Sequence, residues 1–206
     1  MKNDKKEHIL DTMEKLMMSM PNEEISVNMI AEKANIAKGG IYYYFKSKDE
    51  ILYAVVDRCY KKAVHEYFSG IQSKAPAIEK IKILFQSMLK KTFHDNQINL
   101  IHALHLNEDT ILHNKMKIVA IQEVSPILTE LLIEGVKEGS IKTDTPKESA
   151  EMIVSVLTFF LDNTIFQSDK EGMYKKLQIL AKVFETSLYA EKGSFDFLYD
   201  IDAYKQ

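Results

Sequence analysis

Helix breakers, cysteine and arginine are all scarce in this 206-residue chain, and each shortage excludes something. Seven glycines and four prolines fall well below average usage, about 12% for the pair. That leaves too few turn-makers for a many-stranded sandwich or barrel, so the chain reads as all-α. A single cysteine, Cys59, rules out an internal disulfide framework and any CxxC metal or redox motif, and points to a reducing, cytoplasmic setting. No apolar stretch follows the charged start MKNDKKEH, and no run approaches the ~18 residues of a membrane span. The apolar stretch from Val156 to Leu161 is itself interrupted by Thr158. Among the 27 basic residues only Arg58 is an arginine, which takes the bidentate guanidinium fork out of any recognition scheme.

What is present is an apolar-rich chain of net charge −3, long enough for one large domain or two small ones. The net charge argues against indiscriminate polyanion binding, but it hides a basic island. Between Ser26 and Lys48 stand Lys33, Lys38, Lys46 and Lys48 against Glu32 alone, a local excess able to meet phosphate.

Hydrophobic spacing and cap signals divide the chain into helices. Asp4 to Met20 carries Ile9, Leu10, Met13, Leu16 and Met17 at three- and four-residue spacings and ends near Pro21. Ser26 caps a short second helix with Val27, Ile30 and Ala34 on one face. Asn35 and Ile36 alone separate it from a third, Ala37 to Phe45. Asn tolerates the left-handed conformation such a turn demands, so the pair is a helix-turn-helix candidate. Ser47-Lys-Asp-Glu50 is a capping box opening a fourth helix toward Gly70. Further helices are expected from Pro76 to Phe93, Gln97 to Leu106 and His113 to Lys137, the last kinked or divided by Pro126. Thr145-Pro-Lys-Glu148 and Ser168 with Glu171 supply two more starts, the final helix spanning Lys170 to Glu191.

The stretch from Ala37 to Lys48, AKGGIYYYFKSK, breaks local rules. Adjacent glycines at a helix start each cost about 1 kcal/mol against alanine, which suggests close approach to something. Ile41 and Phe45 supply a buried face, leaving Lys38, Gly39, Tyr42 and Tyr43 outward with Lys46 and Lys48 nearby. One helix of this length cannot bury three tyrosines as well. Exposed tyrosines beside lysines suit phosphate and base-edge contacts.

The sequence from Ser26 to Leu52 resembles the DNA-binding signature of the TetR family of bacterial transcriptional regulators. Ile30-Ala31, Lys38-Gly39, Ile41-Tyr42, Phe45 and Lys48 fall where that pattern places them, and the match extends over about residues 8 to 60. The resemblance implies a homodimer whose third helices enter successive major grooves of double-stranded operator DNA, and a small-molecule pocket in each C-terminal domain. It implies base-edge approach for Lys38 and Gly39, and phosphate or sugar contacts for Ser26, Gly40, Tyr42, Tyr43, Tyr44 and Lys48. Asn35 replaces the family's usual glycine, and Tyr44 a frequent histidine.

The expected architecture is a three-helix helix-turn-helix domain, residues 1–48, followed by a larger helical ligand-binding and dimerisation domain, 49–206, with the fourth helix as connector. The helix from Pro146 is apolar almost all round, so it needs two partners. With the last helix it offers Ile153, Val156, Leu157, Phe160, Leu177, Leu180, Ala181, Phe184 and Leu188 to a four-helix dimer interface. Internal core is the other reading. Phe85, Met88, Leu89, Phe93, Met116, Phe159 and Phe160 are candidates for a ligand pocket or plain core. His94, His102 and His105 are pocket, surface or core groups. They lack the carboxylate or thiolate company of a metal site, and no cofactor is expected. The acidic, aromatic tail from Gly193 is expected to pack as an extra turn over the dimer interface, the other reading being a disordered segment that engages a partner. A helical-bundle enzyme or carrier is the competing class, opposed by the absence of a phosphate-cradling loop or a nucleophile with a base at useful spacing.

Overall fold

A computed structural model describes residues 2–20, 25–69, 74–93 and 110–200, and all of its regular structure is helical. The helices are α1 (Lys2–Ser19), α2 (Val27–Ala34), α3 (Lys38–Tyr44), α4 (Lys48–Ser69), α5 (Ala77–Phe93), α6 (Thr110–Glu138), α7 (Pro146–Phe160) and α8 (Lys170–Ser187), followed by a 3-10 turn, Asp196–Tyr199. The helix expected from Gln97 to Leu106 lies outside the described residues.

Local details correct several expectations. Pro126 does not divide α6, which runs through it for 29 residues. The buried row Val124, Leu128, Leu131 and Leu132 holds the helix together where one ladder bond is lost. Thr145 makes no side-chain cap at α7. The Thr143 hydroxyl meets Ser149 Oγ at 3.0 Å and accepts from the Thr145 N–H. At α8 the cap is Asp169 instead of Ser168, its carboxylate accepting from the Gly172 N–H at 2.8 Å.

The chain forms two compact units, Met1–Lys62 with Asp95–Met116, and Ala63–His94 with Lys117–Gln206. In the first, α1 contributes Ile9, Leu10, Met13, Leu16 and Met17 to a core shared with Ile30 and Ala31 of α2, Ile41 and Phe45, and Ile51, Val55 and Val56 of α4. Those α4 residues carry the unit past residue 48. Met116, proposed for a ligand pocket, packs against this core instead.

In the second unit Ile81, Leu84, Phe85 and Leu89 of α5, Ile153, Val154 and Leu157 of α7, and Leu177, Leu180, Ala181 and Phe184 of α8 are buried. The tail packs as expected of a turn, but onto α5 and α8 of its own chain. Phe195 and Leu198 are fully buried, and the rings of Phe184, Phe195 and Phe197 lie 6.2–6.4 Å from Phe85. Phe85 is therefore a core residue, its surroundings filled by the chain's own aromatics.

The expected dimer face is corrected by the same burial. Ile153, Leu157, Leu177, Leu180, Ala181, Phe184 and Leu188 are between 0% and 4% exposed within one chain, so they cannot meet a second. Val156 and Phe160 are half-buried. The large apolar side chains that α7 and α8 present to solvent are Met152, Phe159, Tyr174, Ile179 and Val183.

Candidate nucleic-acid interface

The helix-turn-helix is assembled by caps and a buried seam. The Ser26 hydroxyl accepts from the Met29 N–H at 3.2 Å, starting α2. Asn35 ends α2 in the left-handed conformation, φ 52° and ψ 44°, with its N–H and that of Ile36 returned to carbonyls of α2. Three residues after Asn35, at Lys38, α3 begins. The turn is held from outside by α1, where Nε2 of His8 donates to the Ala34 carbonyl at 3.0 Å.

Helix α3 buries Ile41, and Phe45 follows at 2% exposure. The opposite face carries Lys38, Gly39, Tyr42 and Tyr43, all exposed, the two tyrosines at 47% and 65%. Apolar area so exposed on a short helix is what a ligand surface shows and a core does not. Tyr44 is half-buried against the first core, and its ring meets that of Tyr43 edge to face at 4.9 Å.

The two glycines separate into different roles. A Cβ on Gly40 would come within 2.8 Å of the Ile36 side chain, whereas one on Gly39 would meet nothing within 4 Å. Gly40 thus serves α3's packing on the turn, while the fold itself gives no reason for glycine at 39. An open position beside Lys38 and Tyr42 fits close approach of a backbone from outside.

Past α3, the Ser47 hydroxyl accepts from the Glu50 N–H at 3.1 Å, and the Glu50 carboxylate reaches back to the Lys46 N–H at 2.5 Å. This reciprocal cap fixes where Lys46 and Lys48 emerge beside α3. On α4 the single arginine is engaged inward. Arg58 contacts Glu7, Asp11 and Glu14 of α1 at 3.0, 2.7 and 2.6 Å. Burial opposes its charge, but the hydrogen bonds it donates to Glu7, Glu14 and Asp11 outweigh it and hold the guanidinium pKa above its usual value. Sequence reasoning missed this clamp, although the three acids share one face of α1 at spacings of four and three.

The other proposed site residues scatter. In the second unit Leu89 is buried and Met88 half-buried. Phe159 is exposed under the Lys117 ammonium, and Phe160 packs on Phe166. Phe93 ends α5. His94, His102 and His105 lie outside the described residues.

Two family models match the chain. One, described as "Bacterial regulatory proteins, tetR family", covers residues 9–55. The other, described as "Tetracyclin repressor-like, C-terminal domain", covers residues 92–183. A fatty acid metabolism regulator protein of Bacillus subtilis is 26% identical over 135 residues, 65% of this chain and 69% of that protein. Among solved structures, the resorcinol complex of RolR aligns with 97% of this chain and 95% of its own, at TM-score 0.64 and 15% identity. The repressor QsdR of R. erythropolis aligns with 88% and 95%, at TM-score 0.64 and 17% identity. Such likenesses establish a common fold.

Proposed function

Because the chain belongs to the TetR family of bacterial transcriptional regulators, we propose that it is a cytoplasmic, homodimeric repressor with no catalytic role, released from operator DNA by a small apolar or amphipathic effector. The observation that carries this reading is the outer face of α3, where Lys38, Gly39, Tyr42 and Tyr43 stand exposed on a helix anchored by Ile41 and Phe45. Lys38 and Gly39 would approach base edges. Ser26, Tyr42, Tyr43, Lys46 and Lys48 would hold phosphates, which set register without reading sequence. With no arginine fork, affinity would rest mainly on phosphate contacts from both subunits and fall steeply with salt.

The dimer would form through the exposed apolar stripe of α7 and α8, with half-sites about one helical turn apart, ~34–36 Å. An effector in the second unit would act by favouring one dimer geometry over another. Helix α4 passes from the first unit into the second and would be the lever. No helix among the described residues is long and apolar enough to cross a membrane, in keeping with a cytoplasmic protein.

A gel-shift titration against the DNA upstream of the protein's own coding region tests the reading. Tyr42→Ala should fold as the parent and lose most of the shift. A parent protein that shifts neither this DNA nor any fragment of its source genome would refute it and leave the helical-bundle carrier.

A further inference from the structure

The apolar packing of α7 against α8 contrasts with a polar seam between α6 and α7. At one end of that seam Lys117 of α6 is paired with Asp162, which follows α7, both side chains under 10% exposed. Along it lie two hydroxyls, Ser125 Oγ and Thr158 Oγ1, that are buried without a hydrogen-bond partner. A buried hydroxyl left unpaired carries a desolvation penalty that the fold does not return.

Ser125 lines a groove of about 600 Å³ between the two helices, in the size range of small-molecule sites. Ile121 and Pro126 give it an apolar wall, and Ser155 of α7 faces them. Pro126 has no N–H, so the carbonyl of Gln122, another lining residue, lacks its helical donor. The Ser125 carbonyl is already occupied by the Thr129 hydroxyl at 2.8 Å. What the groove leaves unused is an oxygen, the Ser125 hydroxyl, and Pro126 has taken the helical donor from the neighbouring Gln122 carbonyl. Its rim carries Glu130 and Glu151 against Lys147, which lies 3.8 Å from Glu151. Thr158 extends the row Glu151, Ser155 along the same face of α7.

We propose that this groove is a binding site for an amphipathic amine. The ammonium donates to the Ser125 hydroxyl and the Gln122 carbonyl beneath an acidic rim, and the apolar body lies along Ile121 and Pro126. Glu151 and Ser155 adjoin Met152 and Val156 on α7, so an occupant sits beside the proposed dimer face. In that respect the inference deepens the effector reading and rests on it. The amine preference itself rests on the groove alone.

Calorimetric titration of the full-length protein with octylamine, octan-1-ol and octanoate tests this, since the three share a tail and differ in the head. Octylamine is expected to bind saturably, octan-1-ol at least tenfold more weakly, and octanoate more weakly still. Ser125→Ala should weaken octylamine about tenfold while melting no lower than the parent, because it removes an unpaired buried hydroxyl. Ser155→Trp should fill the groove and abolish binding. Should that variant misfold, the exposed double change Glu130→Lys with Glu151→Lys should invert the preference from octylamine to octanoate. Octanoate binding the parent as tightly as octylamine, or octylamine binding that ignores all these changes, overturns the proposal. These titrations contain no DNA, so their failure leaves the operator reading standing, and a failed gel shift leaves groove binding standing.

Discussion

Nε2 of His8 on α1 donates to the carbonyl of Ala34, the last residue of α2, at 3.0 Å. That carbonyl is one of the acceptors a helix end leaves without an internal partner, and the next residue is the left-handed Asn35. Helix α1 therefore sets the turn that aims α3. His8→Leu should lower stability by about 1 kcal/mol and weaken operator binding several-fold. His8→Gln, which keeps a donor, should recover much of both in parallel melting and gel-shift series. Equal binding by all three proteins would show that the turn needs no support from α1.

The two glycines of α3 should part company. Gly39→Ala meets open space and should stabilise the helix by up to about 1 kcal/mol while weakening DNA binding. Gly40→Ala pushes on Ile36 and should lower the melting temperature. Chemical denaturation and operator titrations on both variants read this directly.

Lys38 and Lys48 should differ in kind. Lys38→Ala is expected to narrow the gap between operator and scrambled duplexes. Lys48→Ala should weaken both alike and reduce the salt slope by about 1 per subunit. Titrations at three salt concentrations measure it, and equal effects of the two changes would count against the division.

Arg58 should matter to stability and not to base readout. Arg58→Met keeps most of the side chain's apolar length but leaves Glu7, Asp11 and Glu14 facing one another without their cation. A loss of about 1–2 kcal/mol is expected, partly screened because the group is open to solvent. Melting should show it, with the ratio of operator to scrambled binding unchanged.

Cys59 neighbours Arg58 on α4. Burial, with the negative charge of Glu14, pushes its thiol up from its ordinary value near 9 to about 11. At pH 8 the thiolate should be about a hundredfold scarcer than for an unperturbed cysteine, so alkylation by iodoacetamide should be correspondingly slow. Because the raised value favours the neutral form in the folded state, its contribution to stability is complete below pH 9 and disappears as pH rises toward 11. Rapid labelling of the folded protein at pH 8 would contradict this environment.

Much of the reading unit was legible because its signals are local. The Ser26 cap, the left-handed Asn35, the capping box at Ser47 and the buried Ile41 and Phe45 all depend on residues within a few positions of one another. The second unit was less legible. Periodicity identified Leu177, Leu180 and Phe184 as one apolar stripe, but a stripe does not say whether its partner is the same chain or another. The Phe195 tail rests on Phe184 and Phe85 by contacts over long sequence separations, which no spacing reveals.

The sequence by itself determined an all-helical chain, the places where its turns fall, and a reading helix with two glycines and exposed tyrosines beside lysines, since helix period, cap chemistry and backbone freedom are short-range properties. Only the tertiary structure decided which glycine is free to approach a partner, which apolar face stays open to a second subunit, that the single arginine is spent on three carboxylates of α1, and that two hydroxyls between α6 and α7 are left unpaired. Each of those depends on which atoms compete for the same space once distant helices have packed.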